Sequence, residues 1–355
     1  YELKKRQQSS KVSQGLTAKD AIYLVFPDRF SNGDPSNDNV EGMRESINRM
    51  NKSGRHGGDI QGIMNKLDYI KEMGFTAIWI NPLLENDMPE YSYHGYAITD
   101  HYKIDPRFGS NEEYKELVKK AQSKGLKIIK DMVYNHSGIH HHLFRDLPNT
   151  FYNNNGKFKR TTYREPPIMD PYASKSDLKN SVDGWFDKTM PDFNQRNERV
   201  KRYLIQNSIW WIEYSGLDAF RIDTYFYSDL AFSAALGNAI NEEYPDFRMF
   251  GETWVKSVPM QAYFAQNNGF KNEVNTALAG VTDFMLFEAI KKAYKEKMGF
   301  TGGIMDVYYI LAQDFLYENP YQNVVFLDNH DLSRIFIDLG SDIEKVTSTL
   351  SFLFT

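Results

Sequence analysis

The sequence of 355 residues contains no cysteine, which excludes disulfides, thiol catalysis and cysteine-ligated metals while leaving the cellular compartment open. No apolar run reaches about 18 residues, so we expect no transmembrane helix. The formal net charge of -5 gives no case for a nucleic-acid partner, which needs a basic face. Residues 1–10 are polar and lack the apolar core of a signal peptide, as expected for a linker or a cut chain end.

Aromatic residues, by contrast, are abundant, at 15% of the chain. Aromatic rings fill a bulky core, and their faces also suit the apolar C–H surfaces of sugars, so the composition is compatible with both uses. With 41% hydrophobic and 25% charged residues, the chain is globular and large enough for an α/β barrel with insertions.

Short apolar runs alternate with helical periodicity along the chain, a pattern typical of a parallel sheet with helical crossovers. The predicted strands are Ala21–Phe26, Ala77–Ile80, Leu126–Val133, Leu217–Ile222, Arg248–Gly251, a weaker one at Val281–Leu286, and Val324–Leu327. The predicted helices are Ile60–Met73, Asn111–Ser123, Leu230–Glu243 and Ile343–Leu353. This many repeats favour an α/β fold of the TIM (β/α)8 type over an open sheet, with the chain cut before an eighth strand.

Residues 136–195 break this rhythm, because they show no regular period. A long irregular insertion in a compact domain is usually functional or a small subdomain, and this one follows the third strand on the catalytic side of such barrels. We therefore predict three parts: residues 1–135 as the first part of the barrel, 136–195 as an inserted loop-rich domain, and 196–355 as the remaining strands.

Acidic residues directly follow several of the predicted strands, namely Asp223, Glu252 and Asp331. Side chains at the carboxyl ends of barrel strands point towards one site. A pair of carboxyl groups flanking a bond is what glycoside hydrolysis requires.

The neighbours of these acids admit more than one interpretation. Arg221 and Asp223 alternate onto one face of a strand, either as a structural ion pair or so that the arginine keeps a nucleophile ionised. Glu252 stands between Gly251 and Trp254, either on a surface loop or against an apolar wall that would raise the pKa of a general acid.

Polar segments also follow strands at Asp131–His136 and at Asp328–Asp331. They could form a hydrogen-bond network, an ordinary loop start or a metal cluster. In the last case Asp131, His136 and His330 would be the ligands of a metal-dependent barrel hydrolase.

In their order along the chain, these segments resemble the α-amylase family, glycoside hydrolase family 13. The resemblance runs from about residue 21 to residue 355 and rests on segments similar to the family's signature regions, which are Tyr93–Tyr96, Asp131–His136, Met190–Asn194, Gly216–Asp223, Gly251–Trp254 and Phe326–Asp331. It implies a TIM barrel in which residues 136–195 form the loop-rich domain B.

The family pattern also implies residue roles. Asp223 would be the nucleophile that forms a covalent glycosyl–enzyme intermediate, Glu252 the general acid and then base, and Asp331 the stabiliser of the transition state. Asp131 would be structural. The implied sugar-binding residues are His94, Tyr96, His136, Arg221 and His330.

The implied activity is retaining hydrolysis of α-1,4 or α-1,6 glucosidic bonds in starch, maltodextrins, pullulan or cyclomaltodextrins. Met190–Asn194 resembles the neopullulanase and cyclomaltodextrinase branch of bacterial starch-utilisation systems, which favours an exported, periplasmic-type location over the cytoplasm. Thr224–Tyr227 departs from the Lys-His pair with which many α-amylases contact the leaving-side sugars, so the resemblance does not assign acceptor-side recognition.

Other functions stay open at this point. A transglycosylase or an α-1,6-glucosidase of the same family would share the chemistry up to the acceptor step. A non-catalytic relative is disfavoured because the acids are all present and no membrane span is visible. The sequence leaves the oligomeric state open.

A second constellation lies near the N-terminus, in a loop rich in Gly, Asn and Asp. Spacing alone favours an ordinary Asx-rich turn, although amide, carboxylate and carbonyl oxygens are also the ligands that Ca2+ prefers. Neopullulanase-like relatives place a structural calcium in a similar loop, and the matching residues are Asn32, Asp34, Asn37, Asp38, Gly57 (through its carbonyl) and Asp59.

Overall fold

The computed structural model describes residues 15–146, 148–270 and 274–354, so the polar segment 1–10 lies outside the described residues. The chain divides into two compact units. Unit one comprises the described residues of Tyr1–Asp223 together with Tyr227–Arg248, and unit two comprises Thr224–Phe226 together with the described residues of Met249–Thr355.

Unit one is built on parallel strands. The strands are β1 (Ile22–Val25), β2 (Ala77–Ile80), β3 (Leu84–Glu85), β4 (Asp100–Ile104), β5 (Lys127–Met132) and β6 (Ala219–Ile222). β1, β2, β5 and β6 pair in that order, all parallel, whereas β3 and β4 form a short antiparallel pair. β2 and β6 are buried along their whole length, as expected for parallel strands covered on both faces. The first four predicted strands are thus confirmed.

Helices separate these strands in unit one. They are α1 (Pro27–Phe30), α2 (Ile60–Asn65), α3 (Leu67–Glu72), α4 (Asn111–Ser123), α5 (His142–Asp146), α6 (Pro166–Met169), α7 (Lys175–Val182), α8 (Glu198–Ser215) and α9 (Leu230–Glu243). α4 begins with a capping box between Ser110 and Glu113, and it has the predicted bounds, as does α9. The helix predicted over Ile60–Met73 is divided into α2 and α3, because the backbone leaves helical geometry at Lys66 (φ -110°, ψ 8°).

Among the residues of 136–195 that the structure describes, the only helices are the short α5, α6 and α7, besides single-turn 3₁₀ segments. Isolated bridges fold this stretch back on itself, at His136↔Asp192, Tyr152↔Phe193 and Arg160↔Trp185. The stretch lies within unit one. The predicted division of the chain at residues 135 and 195 stays a prediction.

Unit two combines a short parallel pair with a helical core. Its elements are β7 (Arg248–Gly251, whose first residue belongs to unit one), α10 (Val258–Ala262), β8 (Gly280–Val281), α11 (Phe284–Lys295), α12 (Ile304–Leu311), α13 (Ile335–Asp338) and α14 (Ile343–Leu353). β7 pairs with β8 in parallel, and α14 has its predicted bounds. One cluster of buried core residues in this part comprises Leu286, Ala289, Ile290, Val307, Leu327, Ile335 and Leu339.

The last predicted strands need correction. The run Val281–Leu286 is a strand only at its start, because Asp283 caps a helix there: its side chain accepts the N–H of Leu286 and α11 begins at Phe284. Val324–Leu327 forms no strand. Only Val324 makes a parallel bridge, to Thr282. Within the described ranges, no helix has the length and apolarity that crossing a membrane requires.

Candidate active site

A buried arginine organises the end of β6. Arg221 Nη1 lies 2.7 Å from Asp223 Oδ1 and 2.9 Å from Asp131 Oδ1. One guanidinium therefore joins the carboxylate of Asp131 on β5 to that of Asp223, which directly follows the neighbouring strand β6. Alternation along β6 places Arg221 and Asp223 on the same face. The predicted pairing of Arg221 with Asp223 is therefore present, and Asp131 shares it.

Asp131 accepts hydrogen bonds from a residue of β2 and from a residue between β3 and β4. Its Oδ2 accepts hydrogen bonds from Trp79 Nε1 (3.0 Å) and from the Tyr96 hydroxyl (3.1 Å), and Asn81 Nδ2 donates to that hydroxyl (2.6 Å). Burial raises the pKa of Asp131 to about 7 against the opposing effect of Arg221. Sequence reasoning missed Trp79 and Asn81. Their spacing of two at the end of β2 was the available signal.

His94 and Tyr96 lie together in unit one. Their rings stack with centroids 5.8 Å apart, and the Tyr96 N–H donates to His94 Nδ1 (2.9 Å). Burial, with a smaller effect of His136, lowers the pKa of His94 to about 4, so the imidazole is neutral at neutral pH. Gly95 between them has a positive φ of 83°, and a Cβ there would lie 2.2 Å from the Pro82 carbonyl oxygen, so only glycine allows this turn.

His136 follows β5 and is buried. Burial lowers its pKa to about 4. Asn135 Nδ2 lies 3.4 Å from Nδ1, whereas Nε2 has no hydrogen-bond partner among the described residues. A buried neutral imidazole nitrogen without a partner is suited to a ligand hydroxyl.

In unit two, Glu252 follows β7 and is held by backbone groups. The Thr224 N–H donates to Glu252 Oε2 (2.9 Å), and the Tyr225 N–H donates to the Glu252 carbonyl (3.1 Å). A Cβ on Gly251 would lie 2.6 Å from Tyr225 Cγ, so glycine is needed for this close approach. Thr224 itself has a positive φ of 46°, a strained conformation for a β-branched residue. Sequence reasoning did not find this contact, since a backbone N–H leaves no sequence signal.

Trp254 stacks face to face on Phe284 (5.0 Å between centroids, 7° between planes). The predicted interpretation of its indole as an apolar wall for Glu252 stays a prediction.

The two acids of the segment Asp328–Asp331 differ in their contacts and exposure. Asp328 pairs with Arg334 (3.0 Å) and accepts the N–H of Ile335 at the start of α13. Asp331 Oδ2 lies 3.3 Å from His330 Nε2, and the Asp331 side chain is 46% exposed. Within this segment the structure therefore gives Asp328 a structural role and leaves Asp331 open to solvent.

In the N-terminal loop, the amide oxygens Asn32 Oδ1 and Asn37 Oδ1 are buried and have no partner among the described residues. Asp38 Oδ1 accepts a hydrogen bond from Asn32 Nδ2 (2.7 Å), and Asp38 Oδ2 lies 3.2 Å from Arg49. Buried acceptor oxygens without donors are what a hard cation would satisfy, so these residues fit calcium.

The carboxylates of Asp59 and Asp34, also predicted as calcium ligands, accept hydrogen bonds from the protein. Asp59 caps α2 and accepts the N–H groups of Gly33, Asp34 and Gly62. The Asp34 carboxylate faces Ser36, whose hydrogen bonds lower its pKa. No group of three or more His, Cys, Asp and Glu side chains that could hold a metal occurs in the part of the chain that the structure describes.

Residues 24–355 match the family model "Alpha amylase, catalytic domain". The chain is 32% identical over 354 residues to the "Beta/alpha-amylase" of Paenibacillus polymyxa, covering 95% of this chain and 26% of that protein. It is 31% identical over 339 residues to the cyclomaltodextrinase of Thermoanaerobacter pseudethanolicus, covering 94% and 54%. The solved Anoxybacillus alpha-amylase superposes with a TM-score of 0.79 at 30% identity, covering 95% of this chain and 68% of that one.

These matches confirm the predicted resemblance and the predicted TIM-barrel fold. The chain spans about a quarter to about half of the length of these curated relatives.

Proposed function

The chain belongs to the α-amylase family, whose catalytic-domain model it matches almost throughout, and from this we propose that it catalyses retaining hydrolysis of α-glucans. The observation that carries the proposal is the buried Arg221 that joins Asp131 and Asp223 at the end of β6. An ionised carboxylate held by a guanidinium at a strand end is what a glycosyl-transferring nucleophile requires.

In the proposed first step, an Asp223 oxygen attacks the anomeric carbon. The bond from that carbon to the glycosidic oxygen breaks, and its electron pair goes to the leaving oxygen, which takes a proton from Glu252. In the second step, Glu252 takes a proton from water. The water oxygen then attacks the anomeric carbon, the bond from that carbon to the Asp223 oxygen breaks, and Asp223 is released as a carboxylate. Two inversions give net retention.

Other residues serve binding in this proposal. Neutral His94 and His136 hydrogen-bond hydroxyls of the sugar at the cleavage position, and Tyr96 stacks on it. His330 and Asp331 contact hydroxyls, and the carboxylate of Asp331 opposes the positive charge that develops on the ring. Asp131 positions Arg221 and Tyr96 through the contacts described above.

The substrates proposed are starch-type glucans with α-1,4 bonds, including cyclomaltodextrins, and α-1,6 bonds as in pullulan. Similarity to a cyclomaltodextrinase supports this class. Residues 136–195 act in the proposal as domain B, and a location outside the cytoplasm is part of the same hypothesis.

We also propose that the N-terminal loop holds a structural Ca2+. Asn32, Asn37 and Asp38 would bind it through side-chain oxygens and Gly57 through its carbonyl, whereas Asp34 and Asp59 shape the loop. The ion would supply a fixed positive charge that ties these loop segments together, and it takes no part in the reaction.

Product analysis tests the function directly. The complete protein is incubated with amylose, pullulan and cyclomaltodextrins, with Asp223→Asn as the negative control. Release of shorter glucans with retained α configuration is the expected result. Products with larger mass than the donor would instead favour a transglycosylase, and no product from any substrate would contradict the proposal.

A further inference from the structure

A strained tyrosine lies in the segment between residues 136 and 195. Tyr163 has a φ of 54°, a left-handed conformation that is an outlier for a bulky aromatic residue. Its side chain is nevertheless 44% exposed. Strained residues persist where surrounding contacts enforce them, and they cluster at ligand-binding positions.

Hydrogen bonds hold the backbone before Tyr163 and the side chain of Tyr163 itself in this conformation. The Thr161 N–H donates to the Trp185 carbonyl (2.9 Å), Thr161 Oγ1 donates to the Ser181 carbonyl (2.7 Å), and the Tyr163 N–H donates to Thr161 Oγ1 (3.1 Å). The Tyr163 hydroxyl donates to the Phe186 carbonyl. The ring is thus fixed before any ligand binds, which lowers the entropy cost of binding.

A chain of rings connects Tyr163 to His136. The rings of Tyr163 and Phe186 meet edge to face with centroids 5.7 Å apart, and the Phe186 ring lies 5.4 Å from that of His136. Phe186 also packs on Tyr227 at 4.6 Å, which fixes its position. An aromatic wall therefore leads from the partner-free Nε2 of His136 to an exposed ring.

We propose that Tyr163 is a specificity-determining residue that stacks on a glucosyl unit adjacent to, and distinct from, the unit bound at His136. The inference rests on the proposed function. The exposed ring face takes up the apolar C–H surface of a pyranose, and Phe186 holds the ring at a set distance from His136. Tyr163 therefore raises kcat/KM for chains with several glucosyl units and not for a substrate with a single unit.

The test compares maltoheptaose with α-glucosyl fluoride, which offers one glucosyl unit. The variant is Tyr163→Asn, because asparagine tolerates a positive φ and removes the ring. We expect the ratio of kcat/KM for maltoheptaose to that for α-glucosyl fluoride to fall about 3- to 10-fold. Tyr163→Phe keeps the ring and should keep most of the ratio.

Tyr172 provides a matched control. It lies in the same segment, is 93% exposed, and pairs with no aromatic ring among the described residues. Tyr172→Asn should leave the ratio unchanged. If Tyr163→Asn does not fold, the measurement is repeated with Tyr163→Gly, because glycine adopts a positive φ without strain. A ratio unchanged in the variant that folds would overturn the inference, whereas a wild-type protein inactive on both substrates would overturn the proposed function instead.

Discussion

Asp223 and Asp331 look alike in sequence, since each follows a short apolar run, but their surroundings differ. Asp223 follows β6, which is buried along its length, and it is bonded to a buried arginine. Asp331 follows residues that form only one bridge, and its side chain is about half exposed. Asp223 is therefore fixed by a buried ion pair, whereas the Asp331 side chain is 46% exposed, and under the proposed function the first attacks the sugar and the second contacts its hydroxyls.

Replacing the rigid acid should have the largest effect. Asp223→Asn keeps the shape but removes the nucleophilic charge, so we expect kcat to fall by at least about 10^4-fold. Steady-state kinetics on maltoheptaose measures this, with the exposed Asp187→Asn as a matched control. A kcat within tenfold of the wild-type value would show that Asp223 is not the nucleophile, and the functional difference proposed between Asp223 and Asp331 would be lost.

Glu252→Gln separates proton transfer from attack. Loss of the general acid should lower kcat on maltodextrins by about 10^2- to 10^4-fold. The rate of the first step should fall less with α-glucosyl fluoride, because fluoride leaves without needing a proton. Added azide should restore turnover, because it replaces the water that Glu252 would activate in the second step. An equal loss on both substrates with no response to azide would argue against the acid–base role.

The exposed acid is tested against its neighbour in the same segment. Asp331→Asn should lower kcat by about 10^2-fold, since it removes one stabilising charge from the transition state. Asp328→Asn should instead lower the melting temperature, because Asp328 bonds Arg334 and the start of α13. A reversed pattern, with Asp328 governing kcat and Asp331 governing stability, would break the comparison.

Calcium removal should have the smallest effect. A ligand at about 100 times its Kd stabilises the folded state by about 2.7 kcal/mol, so chelation should lower the melting temperature with little change in the rate of the chemical step. The double variant Asn32→Ala, Asn37→Ala should melt at one temperature with and without Ca2+. Melting curves that do not respond to chelation in the wild-type protein would count against the loop site.

The same contrast explains what the sequence could predict. β2 was predictable because a strand covered on both faces is apolar throughout, and α4 and α9 because their caps and periodicity agree. The strand predicted over residues 281–286 was wrong beyond Val281, because Asp283 caps a helix within this largely apolar run.

The site could be predicted in part. Motif residues such as Arg221 and Asp223 stand two apart on one strand, so their pairing follows from alternation. The spacing of Trp79 and Asn81 at the end of β2 was a signal that sequence reasoning did not use, whereas the Thr224 N–H depends on a strained turn that no spacing reveals.

The central claim is that Asp223 forms the covalent intermediate, and trapping that intermediate tests it most directly. A fluorinated glucosyl fluoride that glycosylates the enzyme faster than the adduct hydrolyses would be incubated with the complete protein, followed by peptide mass mapping. We expect one added sugar on the peptide that contains Asp223. A sugar on Glu252 or Asp331, or hydrolysis with inverted configuration and no adduct, would contradict it.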